Sequence, residues 1–203
     1  MEERSANDII KDFAKNTNRN IEFSHTMYPL SSYRKIERYK TIAYIPNNQD
    51  ESCFFVWVND PYRVIGEYSS FSGVFIPISS GYKGSFSIRA KNILDNFNVV
   101  SLIKNIWADK SGFSSKVVIS GNDPDRADEL FNGTMAGHKV LEALKLSPAM
   151  RITLNLPVID FIPALKGKNY IGIVNPQEWF LEREIIEKML KIGETFLHGK
   201  TPN

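Results

Sequence analysis

The stretch "ISGNDPDRADELF", residues 119–131, gathers Asp123, Asp125, Asp128 and Glu129 around Arg126 and between apolar residues. Carboxylates at this density can hold a divalent cation, divide acid and base roles, or begin a helix. A calcium loop of the EF-hand type needs oxygen ligands at alternate positions, then glycine, then a late glutamate. After Asp123 and Asp125 the next ligand position is Ala127, and Asp128 stands where glycine belongs. That excludes the calcium loop. On a helix, Asp125 would neighbour Asp128 and Glu129, so a magnesium-binding pair is geometrically feasible. The helix dipole offers a simpler account, because carboxylates in a first turn gain ~0.3–1 kcal/mol each. Asp123 suits the N-cap, Pro124 the first helical position and Gly133 the position just past the end. The patch reads as the start of a helix.

The other chemistry-bearing residues are scattered. His25, His138 and His198 are isolated, without an HExxH-type pairing. The single cysteine, Cys53, lies inside the apolar run "CFFVWV". It excludes an intramolecular disulfide and a cysteine-based zinc site, and it reads as core. "GKT" at 199–201 has the look of a phosphate-loop ending. The preceding glycine, Gly193, is one position too far away, and the segment would end a helix instead of opening one. A nucleophile elbow and a dinucleotide glycine fingerprint are also missing. The sequence therefore assigns no catalytic, cofactor-binding or metal-ligating residue and no cofactor. The enzyme alternative is a hydrolase or transferase with a spatially assembled site, to which Asp123, Asp125 and His138 are the least implausible contributors.

With 25 basic against 23 acidic residues, the net charge of +2 gives no strong electrostatic partner. The 42% hydrophobic content is ample for a packed core. The charged start "MEERSANDIIKDFAKN" lacks the apolar stretch of a signal peptide, and no run approaches the ~18–20 residues that cross a bilayer. A cytoplasmic protein is expected. The sequon at Asn132–Thr134 then reads as a helix-ending turn.

These residues must be positioned by elements of two kinds. A short helix is expected over 6–15, with Ile9, Ile10 and Phe13 on one side. From 41 to 91, "TIAYI", "CFFVWV", "RVIGEY", "GVFIPI" and "GSFSIRA" read as strands separated by turn-formers. "CFFVWV" is apolar on both faces and belongs in the middle of a sheet. In "KGSFSIRAK", Phe86, Ile88 and Ala90 point one way and Lys83, Arg89 and Lys91 the other. "SSKVVIS" is a further strand, followed by the helix after Asp123. A second helix, capped by Thr134, turns Val140, Leu141 and Leu144 inward and stops at Ser147–Pro148. "RITLNL", "VIDFI" and "YIGIV" read as three more strands. A last helix opens at Asn175–Pro176 with an apolar stripe of Leu181, Ile185, Ile186, Met189, Leu190, Phe196 and Leu197.

Runs of strands followed by runs of helices give an α+β class, with a mainly antiparallel sheet in each half and a long C-terminal amphipathic helix packed on one face. One domain, 1–203, is expected. The alternative division is 1–92, a helix plus β meander, and 113–203, a β-α-α-β-β-β-α unit.

Two segments could be surfaces. "YRKIERYK", residues 33–40, holds four basic residues and two tyrosines. Tyr33, Arg34 and Arg38 with Lys83 and Arg89 could form the basic, aromatic face of a single-stranded nucleic-acid binder. The simpler reading is a helix whose Tyr33, Ile36 and Tyr39 pack inward. In "FNVVSLIKNIW", Val99, Leu102, Ile103, Ile106 and Trp107 form an apolar cluster with neither clean helical nor clean strand period, in part a short helix. Left exposed, it would mark a partner surface. A buried connector between sheets is the alternative.

The block 113–144 resembles a loose set of uncharacterised bacterial proteins. Phe113, Val118, Gly121, Asp123, Ala127, Leu130 and Leu141 occupy the positions of their aromatic, strand, turn and leucine-rich helices. Members of that set are often attached to membrane segments, which this chain lacks, and the resemblance brings no catalytic residues. The expectation is a non-enzymatic, cytoplasmic protein-interaction or ligand-sensing module. Its contact would be a protein partner or self-association, through the 97–107 segment or the concave face of the 41–91 sheet, with nucleic acid not favoured.

Overall fold

The computed structural model of the chain describes residues 5–30, 35–47, 51–62, 68–78, 82–92, 116–123, 125–131 and 135–197. Helix α1, Ala6–Asn16, starts at the Ser5 cap, whose hydroxyl accepts from the Asp8 amide, and buries Ile10, Phe13 and Ala14. The strands that follow are β1 (Glu22–Met27), β2 (Tyr39–Pro46), β3 (Phe54–Asn59), β4 (Ser70–Ile78) and β5 (Phe86–Ala90). Then come β6 (Val117–Gly121), helices α2 (Asp125–Phe131) and α3 (Met135–Leu144), β7 (Arg151–Leu154), β8 (Asn169–Asn175) and helix α4 (Arg183–Leu197).

Among the described residues, the eight strands join in one antiparallel sheet, ordered β1-β2-β3-β4-β8-β7-β5-β6. The expectation of a separate sheet in each half gives way to this interleaving. β8, late in the chain, inserts beside β4, and β7 pairs with β5. β4 is thus hydrogen-bonded on both edges, by β3 and β8, and β8 by β4 and β7.

The sheet has two unlike faces. One carries Ala43, Ile45, Phe55, Trp57, Val74, Ile76, Phe86, Ile88, Ile152, Leu154, Ile171 and Ile173, covered by the helices. α4 packs across β3 and β4, and α3 across β5 and β7. Gly193 lets α4 approach closely, since a Cβ there would stand 2.6 Å from Val74 Cγ1. The opposite face carries Phe54, Val56, Val58, Phe71, Phe75, Tyr170 and Val174, covered by Ile159, Ile162 and Leu165. These last residues sit where a strand over 158–162 was expected. The segment is instead a loop leading into a short 3-10 turn at Pro163–Leu165. "VIDFI" buries Ile159 and Ile162 and exposes Val158 and Asp160, an alternation that also suits a loop laid on an apolar sheet.

The last helix starts later than Asn175–Pro176 suggests. Asn175 ends β8, and residues 176–182 form a strap pinned by side chains. Trp57 Nε1 donates to the Phe180 carbonyl at 2.8 Å, Trp179 Nε1 to the Val58 carbonyl at 2.8 Å, and Ser72 Oγ accepts from the Phe180 amide at 2.8 Å. The first half of α4 is tied by Arg19, whose guanidinium forms two 2.9 Å bonds with Glu187 and whose Nε donates to the Asn47 carbonyl at 3.0 Å.

Candidate interaction surface

Residues 22–27 carried no expected element, yet they form β1 at one end of the sheet order. The signal is a short alternation, Phe23, His25 and Met27 against Glu22, Ser24 and Thr26, bounded by Asn18–Asn20 and Pro29. Phe23 packs against the helix-side core, and Lys11 of α1 lies 4.3 Å over its ring. His25 stacks on Tyr39 at 4.6 Å with an interplanar angle of 3°, and its Nδ1 lies 2.7 Å from Thr41 Oγ1. Apart from the half-buried Phe23, all of β1 is exposed.

The chain leaves β1 through Tyr28 and Pro29 and returns as β2, with the Tyr28 amide bonded to the Arg38 carbonyl at 2.9 Å. On the face away from the helices, the ends of three strands meet at Asp60. Its carboxylate accepts from the Tyr28 hydroxyl at 2.5 Å and the Tyr62 amide at 3.3 Å, and pairs with Lys40 Nζ at 3.1 Å. Burial would raise the pKa of this carboxylate, but the hydrogen bonds from Tyr28 and Lys40 outweigh it and hold the group below the ordinary aspartate value. Tyr62 meets Tyr28 edge-on at 4.7 Å, and Arg38 lies over the Tyr62 ring at 5.7 Å. The carboxylate is satisfied by these donors, so the cluster acts as a clasp across β1, β2 and β3.

Outside the clasp the surface is apolar. Met27 is 44% exposed, Leu30 52%, Ile36 70% and Tyr39 37%. Among the described residues the other large apolar side chain this open to solvent is Val158, on the loop over the far face. Over its described residues, 35–40, the inward-packing helix expected for 33–40 is corrected: Tyr39 opens β2, paired with Met27, and Ile36 is exposed to solvent. At the opposite end of β1, Glu22 sits across from Tyr44. Burial, with Glu22 and Glu51 adding negative potential, raises the Tyr44 hydroxyl above its ordinary value.

The other candidate residues fall elsewhere. Val99, Leu102, Ile103, Ile106 and Trp107 lie outside the described residues, as do Tyr33, Arg34 and His198. Arg38 precedes β2, whereas Lys83 and Arg89 belong to β5 and its approach, with β3, β4, β8 and β7 between. The described members of the basic set thus do not converge on one patch. Asp123 packs at the β6–α2 turn, so close to Gly84 that a Cβ there would stand 2.5 Å from Asp123 Cβ. Asp125 is exposed on α2 and His138 on α3. No group of three or more His, Cys, Asp and Glu side chains among the described residues could hold a metal ion. No described helix is long and apolar enough to cross a membrane. Comparison with protein-family models, with curated proteins and with solved structures finds no match for this chain.

Proposed function

We propose that the protein is a non-enzymatic interaction module and that its contact surface is the β1 edge with the β1–β2 connection. The observation that carries this reading is that Met27 and Tyr39, opposite each other in β1 and β2, and Leu30 and Ile36 on the connection between these strands are all open to solvent. Large apolar side chains exposed singly are ordinary, but a contiguous group rimmed by charges marks a binding surface. Here the rim is Lys35, Arg38 and Glu37, with the Asp60 clasp holding the strands that present it. A clasp of this kind serves binding by fixing geometry before contact, which lowers the ordering cost of association.

The test is affinity purification from the native host at low and moderate salt, comparing the natural chain with Leu30→Ser/Ile36→Ser. The expected result is a salt-resistant protein in near-equal amount, lost in the double variant. Retention of that protein by the variant, or a salt-sensitive nucleic-acid signal as the only bound material, would overturn the reading.

A further inference from the structure

We infer that β1 pairs antiparallel with β1 of a second copy of this chain, about a two-fold axis at His25, joining the two sheets edge to edge. This rests on the β1 edge being the contact surface and names its occupant.

β1 is a terminal strand whose six residues pair without interruption with β2. Edge strands usually carry a lysine, a proline or a bulge that blocks further pairing. "EFSHTM" has no lysine or proline, and its register with β2 shows no bulge. The edge is a ready template for another strand.

The sequence of β1 also matches its own reverse. Residues directly opposite in an antiparallel pair share a face. With His25 opposite His25 of the second copy, Phe23 faces Met27, Ser24 faces Thr26, and Glu22 faces Tyr28. Every pair then keeps the helix side of one sheet continuous with the helix side of the next. Phe23 with Met27 is a sulfur–aromatic contact, and Ser24 with Thr26 a hydroxyl pair.

Charge favours the same arrangement. One end of β1 holds Glu22, with Glu51 close enough to act on Tyr44. The other end holds Lys35, Glu37 and Arg38, one positive charge in excess, while Lys40 is engaged with Asp60. Antiparallel pairing sets the acidic end of each copy beside the basic end of the other. It also brings the exposed Leu30 and Ile36 of each copy toward Ile21 and the α1–β1 turn of its partner. A parallel arrangement would oppose like charges. The short edge implies a reversible dimer smaller than a standard interface.

Sedimentation velocity on the full chain across roughly 5–200 µM, a range set around the micromolar affinities of small interfaces, reads the association. The weight-average mass should rise from one chain toward two. Ser24→Lys/Thr26→Lys, at exposed positions, should stay folded with a modestly lower melting temperature, since the lysine replacing Thr26 would stand opposite Lys40, and should stay at one chain throughout, because the lysines would face each other across the axis. Oxidised His25→Cys should form a covalent dimer far faster than Asp125→Cys, an exposed control on α2; the fully buried Cys53 does not compete.

A natural chain at one-chain mass throughout, a lysine variant that still associates, or equal cross-linking at both cysteines would overturn self-pairing. If self-pairing fails but a host protein is lost on Leu30→Ser/Ile36→Ser, the surface stands and its occupant is a foreign strand. If both fail, the surface assignment itself is wrong.

Discussion

β1 and β3 are strands of the same sheet and the same length, with opposite fates. β3 shows the solvent almost nothing: Phe54, Phe55, Val56, Trp57 and Val58 are each no more than 2% exposed, because helices cover one face and the 159–165 loop the other. β1 is exposed everywhere except Phe23. The difference teaches where stability resides and where the fold has surface to spare. A strand buried on both faces is fixed by transfer free energy. A strand held by one neighbour and a clasp keeps half its backbone groups for something else.

The largest effect should come from the buried member. Trp57→Ala removes a side chain that is fully buried and donates to the Phe180 carbonyl, so a loss of about 3–5 kcal/mol is expected in urea unfolding. A loss below 1 kcal/mol would mean that the strap and helix face do not close over β3. Next in size is Asn47→Ala. Asn47 is 1% exposed, accepts from the Cys53 amide at 3.1 Å and donates to Ser52 Oγ at 2.9 Å. Leaving that buried amide unpaired should cost about 1–3 kcal/mol by the same assay.

The sequence displayed one of these strands and hid the other for a physical reason. Six consecutive apolar residues in "CFFVWV" can be satisfied only in a sheet centre, and that is where β3 lies. β1 carries one half-buried residue, so its transfer signal is weak and its alternation is diluted by His25 and Thr26. The pairing of β8 with β4 was equally hidden, because partners about a hundred residues apart leave no local trace. The same holds for the start of α4. Pro176 suits a first helical turn, but hydrogen bonds from Trp57, Trp179 and Ser72 claim the strap that follows it. Of the candidate surface, the basic residues of 35–40 were legible from composition. Their apolar companion Met27 was not, since only strand pairing brings it opposite Tyr39.

Smaller effects sharpen the comparison at the edge. Asp60 has a folded pKa below its ordinary value, so its stabilisation is present above about pH 4 and is lost as the pH falls through the lowered pKa. Asp60→Asn should therefore be less stable than the natural chain at pH 7, and the gap should narrow as the pH falls below about 4. Thermal melts across that range would read it. A gap constant with pH would show that the carboxylate charge is not what clasps β1 to β3. The smallest effect is expected at the exposed surface between α3 and α4. Lys188 and Glu142 approach to 4.0 Å with both side chains about half exposed, so Glu142→Ala should shift stability by less than about 0.5 kcal/mol in urea.

Amide hydrogen exchange on the full chain at two protein concentrations, tens-fold apart on either side of the association midpoint, tests the role given to the β1 edge most directly. The account predicts that amides of residues 22–27 facing away from β2 exchange more slowly at the higher concentration, while β3 amides exchange slowly and equally at both. Identical exchange of β1 at the two concentrations, or slowing that appears only in segments away from residues 22–39, would contradict it.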